Sequence, residues 1–148
     1  MYIKRFLDIK KHLEQKSVLL LGPRRTGKSS FIQTQLKPDL YFNLLETDTF
    51  SQFAYDPGIL KKAITKNHNI ICIDEIQKLP NLMDEVHSLI ESNKKLRFIL
   101  TGSSAKNLKK SHTSLMAGRA RQLNFLPFNY NEVKNHNFDL KKFLLYGG

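Results

Sequence analysis

The sequence predicts an α/β fold in which a mostly parallel, five-stranded sheet lies between two layers of helices. Short apolar runs typical of strands alternate along the chain with segments whose apolar residues recur at helical spacing, and this alternation is characteristic of parallel sheets. The apolar runs are continuous, as expected of strands that are covered on both faces. The five predicted strands are residues 17–21, 40–44, 69–73, 96–100 and 121–125.

The predicted helices lie between these strands and are placed by end signals and apolar spacing. A helix over residues 30–36 ends before Pro38, because proline cannot continue a helix. Asp56 and Pro57 fit an N-cap followed by a first-turn proline, and Pro80 opens a further helix. The apolar residues expected to face the sheet from these two helices are Ile59, Leu60, Ala63, Ile64, Leu82, Val86, Leu89 and Ile90. Helical spacing is also found at both ends of the chain, with Ile3, Phe6, Leu7 and Leu13 near the start and Phe143 and Leu144 in a final helix capped by Asp139.

The composition is typical of a single globular domain over residues 1–148. Of the 148 residues, 41% are hydrophobic. No apolar run approaches the roughly 20 residues that a membrane-spanning helix needs, so no membrane partner is expected. Charged residues interrupt the N-terminal segment, so no secretion signal is predicted and the cytoplasm is the expected location. The single cysteine, Cys72, excludes an internal disulfide and is expected to pack inside its strand.

The most informative motif directly follows the first predicted strand. Residues 22–29 fit the pattern G-x-x-x-x-G-K-[ST] between a strand and a helix, which is the arrangement of a loop that binds nucleotide phosphates. Free backbone N–H groups and the positive end of the helix dipole meet an anion there. The residues expected to bind the nucleotide are Gly22, Pro23, Arg24, Arg25, Thr26, Gly27, Lys28, Ser29 and Ser30. A glycine-containing turn with a chance lysine is the alternative, and the flanking pattern argues against it.

Individual positions of this loop have separate roles. Gly22 and Gly27 permit backbone angles and close approaches that a side chain would block. Lys28 is expected to place its ammonium against the β- and γ-phosphates, and Ser29 to offer its hydroxyl to Mg²⁺. The sequence holds no Asn-Lys-x-Asp guanine motif, which favours ATP over GTP. The predicted cofactors are therefore ATP and Mg²⁺.

Two carboxylates follow the third predicted strand. Asp74 and Glu75 come directly after a continuous apolar run, at the carboxyl end of a strand, where open α/β sheets bind their ligands. Asp74 is expected to hold Mg²⁺, and Glu75 to act as the base that polarises the attacking water. The alternative is that these two acids merely begin a solvated loop.

A third group of polar residues follows the fourth predicted strand. In P-loop ATPases with an inserted strand, a polar residue here contacts the γ-phosphate or the attacking water. Ser103 is the first candidate for this role and Thr101 is the second. Ser103 or Ser104 could instead cap the next helix, and the two roles could coexist.

Two arginines further along the chain are candidates for a catalytic contact. Arg119 or Arg121 could stabilise transition-state charge on the γ-phosphate as an arginine finger. Either could equally belong to a solvated basic surface.

The net charge of +11 is unevenly distributed. Residues 94–148 hold 11 Lys and Arg against 2 Asp and Glu, whereas residues 1–93 hold 13 against 11. This basic third could bind nucleic acid or another polyanion, could face an acidic region outside this chain, or could be ordinary solvated lysine. Residues 107–114 are polar and basic, and we expect them to form a mobile loop. The five histidines are widely spaced and predict no metal cluster.

Several motifs together resemble a known family. The segments I-I-C-I-D-E-I-Q-K-L-P at 70–80, L-T-G-S-S-A at 100–105 and L-M-A-G-R at 115–119 follow the glycine loop in order, and Leu126-Pro127-Phe128 with Glu132 comes after them. In this combination the chain resembles the prokaryotic AAA-type P-loop ATPase domain. The resemblance implies a sheet of order 5-1-4-3-2. It also implies a chain cut at the edge of the ATPase core, without the lid and C-terminal domain of longer members, and therefore slow turnover.

The predicted function is that of a Mg²⁺-dependent ATPase domain that hydrolyses ATP at the γ-phosphate, in a chain that could form homo-oligomers. A nucleotide-binding switch with negligible hydrolysis is the main alternative. A kinase acting on a small molecule is the third, and the pair Asp74 and Glu75 argues against it because it supplies a water-activating base. The client protein is not predicted by the sequence.

Overall fold

A parallel sheet of five strands forms the centre of the protein. The computed structural model describes residues 2–103, 116 and 118–134. Within them the strands are β1 (Ser17–Leu21), β2 (Leu40–Asn43), β3 (Ile70–Asp74), β4 (Arg97–Gly102) and β5 (Ala120–Asn124). Their order across the sheet is β2-β3-β4-β1-β5, and every neighbouring pair is parallel. The α/β fold and the order 5-1-4-3-2 that the resemblance implied are confirmed, since the two orders are the same sheet counted from opposite edges.

Short helices cover the two faces of this sheet. They are α1 (Lys10–Leu13), α2 (Lys28–Phe31), α3 (Thr47–Tyr55), α4 (Ile59–Ala63), α5 (Leu82–Ser92) and α6 (Tyr130–Val133). The helix expected over residues 30–36 begins earlier, as α2, and continues as a single π-helical segment over Ile32–Leu36. A 3₁₀ turn, Ile76–Lys78, directly follows Glu75.

The core has two layers because successive residues of a strand point to opposite faces. On one face, Leu19, Ile71 and Leu100 pack against the apolar side of α5. On the other face, Val18, Cys72 and Ile99 belong to a second cluster. Its remaining buried members come from the N-terminal segment, β1, the helix after β1, and the residue that follows β5: Ile9, Leu13, Leu20, Phe31, Ile32, Leu36 and Phe125. The α5 residues Leu82, Val86, Leu89 and Ile90 are buried as predicted.

The N-terminal segment departs from the helix predicted by its apolar spacing. Only Lys10–Leu13 is helical, and Phe6, expected to pack on the sheet, is 65% exposed. The reason is that side chains from distant parts of the molecule accept the hydrogen bonds of this backbone. Arg5 N–H donates to Gln35 Oε1 at 2.7 Å and Phe6 N–H donates to Glu132 Oε1 at 2.9 Å. An extended segment is thereby held against the helix after β1.

Two sequence-based predictions fall outside the described residues. They are the final helix capped by Asp139 and the mobile loop at residues 107–114. Within residues 2–103, 116 and 118–134, no helix has the length and apolar character needed to cross a membrane.

Candidate functional site

The glycine loop joins the carboxyl end of β1 to the first turn of α2. Gly22 lies against the end of β5, where a Cβ atom would be 2.0 Å from the carbonyl oxygen of Phe125, so only glycine allows this approach. Gly27 and Arg25 both have left-handed backbone angles, with φ of 85° and 62°. Alternation between right- and left-handed residues turns successive N–H groups toward one point, which creates an anion-binding concavity. The loop therefore has the backbone shape that binding of phosphate requires.

Lys28 is buried at the centre of the loop. Its Nζ donates to the carbonyl oxygens of Gly22 at 2.8 Å and Pro23 at 2.7 Å. Burial lowers the pKa of Lys28, while the negative charges of Glu75 and Asp74 oppose that shift. The ammonium is thus held inside the curve of the loop, as a P-loop lysine must be to meet an incoming phosphate.

The carboxylate of Asp74 accepts hydrogen bonds from three hydroxyl groups. Ser29 Oγ donates to Asp74 Oδ2 at 2.5 Å, and the hydroxyl of Tyr41 donates to the same oxygen. The hydroxyl of Thr101 donates to the other oxygen, Oδ1. Asp74 is only 2% exposed, so these bonds compensate the cost of burying its charge. Burial, together with the bond to Asp74, raises the pKa of Tyr41.

Glu75 follows in a left-handed conformation, with φ of 62°. Its backbone N–H donates to Thr101 Oγ1 at 3.0 Å, and its half-buried carboxylate accepts a bond from Gln77 Nε2. Non-glycine residues adopt such angles at a cost of order 1–3 kcal/mol and persist where the surroundings enforce them, often at functional sites. The turn directs the Glu75 side chain toward the glycine loop rather than along β3.

The loop, Ser29 and Glu75 border one open cavity of about 490 Å³. Its lining residues are Arg24, Arg25, Gly27, Lys28, Ser29, Ser30, Leu45, Glu75 and Lys78. A second cavity of about 220 Å³ shares Gly27 and Ser30 with the first. Tyr2, Ile3 and Phe128 form its apolar walls. The two cavities therefore adjoin along the start of α2.

The donor set at Asp74 fits a hard divalent cation. Mg²⁺ binds in proteins through one or two carboxylates, hydroxyls, waters and substrate phosphates. Ser29 and Asp74 present a hydroxyl and a carboxylate oxygen side by side. Across the part of the chain that the structure describes, no three His, Cys, Asp or Glu residues converge on a metal-binding point. A cation here would thus depend on nucleotide phosphates to complete its shell.

Ser103 and Thr101 occupy different positions relative to the loop. Thr101 is fully buried beneath Asp74 and binds both that carboxylate and the Glu75 backbone. Ser103, past the end of β4, lies with its Oγ 3.4 Å from Gln77 Nε2. Ser103 is thus the more accessible of the two hydroxyls and lies beside the Glu75 turn.

Arg119 and Arg121 are not brought to the loop of their own chain. Ala120 is paired with Ser17 at the start of β1, so Arg119 lies at the opposite end of a strand about 15 Å long. There its Nε lies 2.5 Å from Glu91 Oε1, and Lys94 Nζ lies 3.0 Å from the other Glu91 oxygen. The hydrogen bonds of Lys94 and Arg119 lower the pKa of Glu91 to about 2. Arg121 is exposed on β5, and its Nη1 lies 2.8 Å from His12 Nδ1.

Three residues of the site were not anticipated from the sequence, namely Tyr41, Gln77 and Arg5. Tyr41 is a polar residue in the middle of β2, and β2 is paired with β3 through Tyr41 and Cys72. A polar side chain on the strand next to β3 is the signal that could have found it. Gln77 lies two residues after Glu75, within the segment 70–80 that carries the family resemblance, and Arg5 gave no local signal.

A strand, a lysine-bearing glycine loop, a helix, and a second strand ending in Asp74 and Glu75 define an AAA-type P-loop ATPase domain. Residues 14–134 match the model of the AAA domain family, and the chain belongs to that family. An uncharacterized protein of Methanocaldococcus jannaschii is 32% identical over 95% of this chain and 33% of its own length. The chain therefore spans about a third of that relative.

Solved structures of replication proteins share the fold. The crystal structure of a DNA replication initiation factor superposes with a TM-score of 0.56 at 16% identity, over 93% of this chain and 52% of that one. AMPPCP-bound DnaA from Aquifex aeolicus gives a TM-score of 0.56 at 15% identity, over 90% and 51%. Domain III of the Thermotoga maritima replication initiation protein DnaA gives 0.54 at 12% identity, over 86% and 62%. The chain thus covers about half to three fifths of these structures.

Proposed function

We propose that this domain binds ATP together with Mg²⁺ and hydrolyses the γ-phosphate, with Glu75 as the general base. The observation that carries the proposal is that three reactive groups border one cavity and a fourth lies directly behind them. The Lys28 ammonium, the Ser29 hydroxyl and the Glu75 carboxylate border it, and Asp74 lies 2.5 Å behind Ser29. A site that only retained nucleotide would need Lys28, Ser29 and Asp74 but not the second carboxylate, Glu75.

The triphosphate is expected to lie along the glycine loop. Loop N–H groups would bind the phosphate oxygens, and the Lys28 ammonium would exchange its carbonyl partners for the β- and γ-phosphates. The adjoining cavity walled by Tyr2, Ile3 and Phe128 has the apolar character that suits a nucleotide base. The Aquifex aeolicus DnaA structure, which contains an ATP analogue, supports ATP as the nucleotide.

Ser29 and Asp74 are the residues that would hold Mg²⁺. When bound, the ion supplies charge neutralisation on the phosphate oxygens. Hydrogen bonds from Thr101 and Tyr41 would hold the Asp74 carboxylate in place beside Ser29. Partners of this kind commonly affect metal affinity about 10–100-fold.

Glu75 would accept a proton from the attacking water. At the same time the water oxygen would bond to the γ-phosphorus, and the bond between the γ-phosphorus and ADP would break. Ser103 would donate a hydrogen bond to a γ-phosphate oxygen. Arg119 would contribute charge stabilisation in trans, from a second copy of the chain, because its position near Glu91 is remote from its own loop. Binding of nucleic acid through residues 94–148 stays a prediction of the charge distribution.

Two substitutions test the proposal. Lys28→Ala should abolish most ATP binding, because the triphosphate loses its nearest cation. Glu75→Gln should retain ATP and lose hydrolysis by about 10²–10⁴-fold, because the amide keeps the size of the side chain but cannot accept the proton. Calorimetry with ATP and a phosphate-release assay measure the two effects.

Gln52→Ala on α3 is the control, since Gln52 is exposed and does not line the cavity. Unchanged ATP affinity in Lys28→Ala would reject the assignment of the nucleotide site to the glycine loop. No turnover by the wild type with ATP still bound would favour the nucleotide switch over the ATPase. Equal turnover by the wild type and Glu75→Gln would reject Glu75 as the base.

A further inference from the structure

The carboxamide of Gln77 lies between Glu75 and Ser103. Its Nε2 group donates to Glu75 Oε2 and lies 3.4 Å from Ser103 Oγ. The two partners come from different parts of the sheet, since Glu75 follows β3 and Ser103 follows β4. One side chain therefore links the residue proposed as the base to the residue proposed to contact the γ-phosphate.

The backbone conformation around Gln77 determines the position of its side chain. The left-handed turn at Glu75 leads into the 3₁₀ turn Ile76–Lys78, which folds the Gln77 side chain back over the end of β4. A Cβ atom on Gly102 would lie 2.9 Å from Gln77 Oε1 and 3.1 Å from Leu21 Cδ2. The absence of a side chain at Gly102 leaves the space that the carboxamide fills.

The orientation of the carboxamide is set by Glu75. The NH₂ group faces the carboxylate, while Oε1 is buried without a hydrogen-bond partner among the described residues. The reversed orientation would place Oε1 against a carboxylate oxygen, which is repulsive. A buried oxygen without a hydrogen-bond partner, such as Gln77 Oε1, costs stability. The carboxamide therefore keeps its hydrogen bond to Glu75 although its own oxygen is left unpaired among the described residues.

We propose that Gln77 is a positioning residue that holds the Glu75 carboxylate for catalysis and couples it to Ser103. This proposal rests on the proposed ATPase function. A neutral N–H donor restricts the rotamer of Glu75 without neutralising its charge, so the carboxylate keeps its capacity to accept a proton. The second N–H of the same group lies toward Ser103, so a shift of Ser103 toward the γ-phosphate changes the contact that holds Glu75.

Kinetics of three Gln77 variants test the positioning role. Gln77→Met keeps most of the volume and removes the hydrogen bonds, whereas Gln77→Ala also removes the packing. Both should lower kcat by about 10–100-fold, since a small misplacement of a catalytic group can cost about 10²-fold, and should leave ATP affinity within about twofold. Gln77→Asn keeps the amide and should recover part of the loss. Gln52→Ala is the matched control on an exposed helix face.

A readout that does not need hydrolysis uses the side-chain amide resonances of Gln77 in ¹⁵N-labelled protein. They should shift in Glu75→Ala, because the carboxylate acceptor is gone. Mg²⁺ with a non-hydrolysable ATP analogue should shift them in the wild type and much less in Ser103→Ala.

The outcomes separate this proposal from the proposed function. Full kcat in Gln77→Met beside an active wild type would overturn the positioning role, and so would amide resonances that do not move in Glu75→Ala. No hydrolysis by the wild type would instead overturn the ATPase assignment. Amide shifts in Glu75→Ala and with the analogue would still support the link from Glu75 to Ser103.

Discussion

Arg5 Nε lies 3.1 Å from Glu132 Oε1, and both side chains are buried, with 7% and 4% of their surfaces exposed. The guanidinium also donates to the carbonyl oxygen of Thr26 at 3.2 Å and to that of Leu126. It stacks between the rings of Phe125 and Phe128, 4.2 and 4.3 Å from their centroids. One arginine near the start of the chain therefore joins the glycine loop to the segment that follows β5.

Loss of this arginine should destabilise the fold strongly. Arg5→Ala leaves Glu132 buried without its partner, and breaking a buried ion pair in this way typically costs about 3–5 kcal/mol. Arg5→Lys keeps the charge but loses the planar group that stacks on the two rings, so an intermediate loss is expected. The free energy of unfolding in urea measures both effects.

The exposed pair of Lys62 and Asp56 provides the control for this prediction. The Lys62 side chain is 73% exposed and its Nζ lies 2.9 Å from Asp56 Oδ2. Lys62→Ala should change stability only slightly, because solvent screens such a pair. If Arg5→Ala and Lys62→Ala unfold at the same urea concentration, the Arg5–Glu132 pair does not stabilise the fold more than an exposed ion pair does.

The Glu132 carboxylate should make stability depend on pH in the acidic range. Burial raises the pKa of Glu132, but hydrogen bonds from the backbone N–H groups of Phe6 and Asn129, together with Arg5, outweigh burial and place the pKa below its ordinary value. Folding therefore favours the ionised form. This contribution is present above the unfolded pKa of about 4.3 and is lost as the pH falls through the lower folded pKa.

Glu132→Gln isolates that charge, because glutamine can still complete the capping box with Asn129 at the start of α6. The wild type should be more stable than Glu132→Gln above about pH 5, and the difference should shrink toward about pH 3. Urea unfolding at a series of pH values measures it, with the exposed Glu14→Gln as the control. A difference that stays constant across this range would show that the ionised carboxylate contributes nothing.

Tyr41→Phe should weaken the response of the site to Mg²⁺ while leaving the fold intact. The hydroxyl donates to the Asp74 oxygen that also contacts Ser29, and a lost hydrogen bond of this kind typically costs only about 0.5–1.5 kcal/mol of stability. The Mg²⁺ concentration for half-maximal ATP binding should rise by about 10–100-fold, the range found for partners of metal ligands. A fluorescent ATP analogue titrated at several Mg²⁺ concentrations measures it.

Tyr55→Phe is the matched control, because Tyr55 is 92% exposed on α3. Equal Mg²⁺ dependence in the two variants would mean that Tyr41 only fills space beside Asp74.

Local sequence patterns predicted the strands of the sheet and the position of the glycine loop well, because the information lies within a few consecutive residues. The run at residues 17–21 is β1 as predicted, and the glycine loop follows it with Gly27 in a left-handed conformation. Helix α3 was missed because Phe53 is its only buried residue, so its apolar pattern is weak. The chain start was misjudged for the opposite reason, since its helical spacing is overridden by bonds to Gln35 and Glu132.

Contacts that depend on strand register or on distant segments could not be read from the sequence. Tyr41 meets Asp74 only because β2 and β3 pair with Asn43 beside Asp74. Gln77 meets Ser103 only because β3 and β4 are neighbours. Arg5 meets Glu132 across 127 positions of sequence. Each of these contacts is a consequence of the assembled sheet, and no spacing rule within one segment encodes it.

Arg119 should act on the nucleotide of a second copy of the chain. It lies beside Glu91, at the opposite end of β1 from the glycine loop. ATP hydrolysis per chain should then rise with protein concentration, and Arg119→Ala should flatten that rise while ATP affinity stays nearly unchanged. Removal of an arginine finger can lower turnover by about 10³–10⁵-fold.

Mixing two inactive variants gives the sharper form of this test. Glu75→Gln lacks the base but supplies Arg119, and Arg119→Ala lacks the arginine but supplies Glu75, so mixtures should regain hydrolysis that neither variant shows alone. Lys94→Ala is the matched control, because Lys94 is a second cation bound to Glu91 on the same edge and should leave the concentration dependence unchanged. A rate that is independent of concentration and unaltered by Arg119→Ala would show that Arg119 takes no part in catalysis.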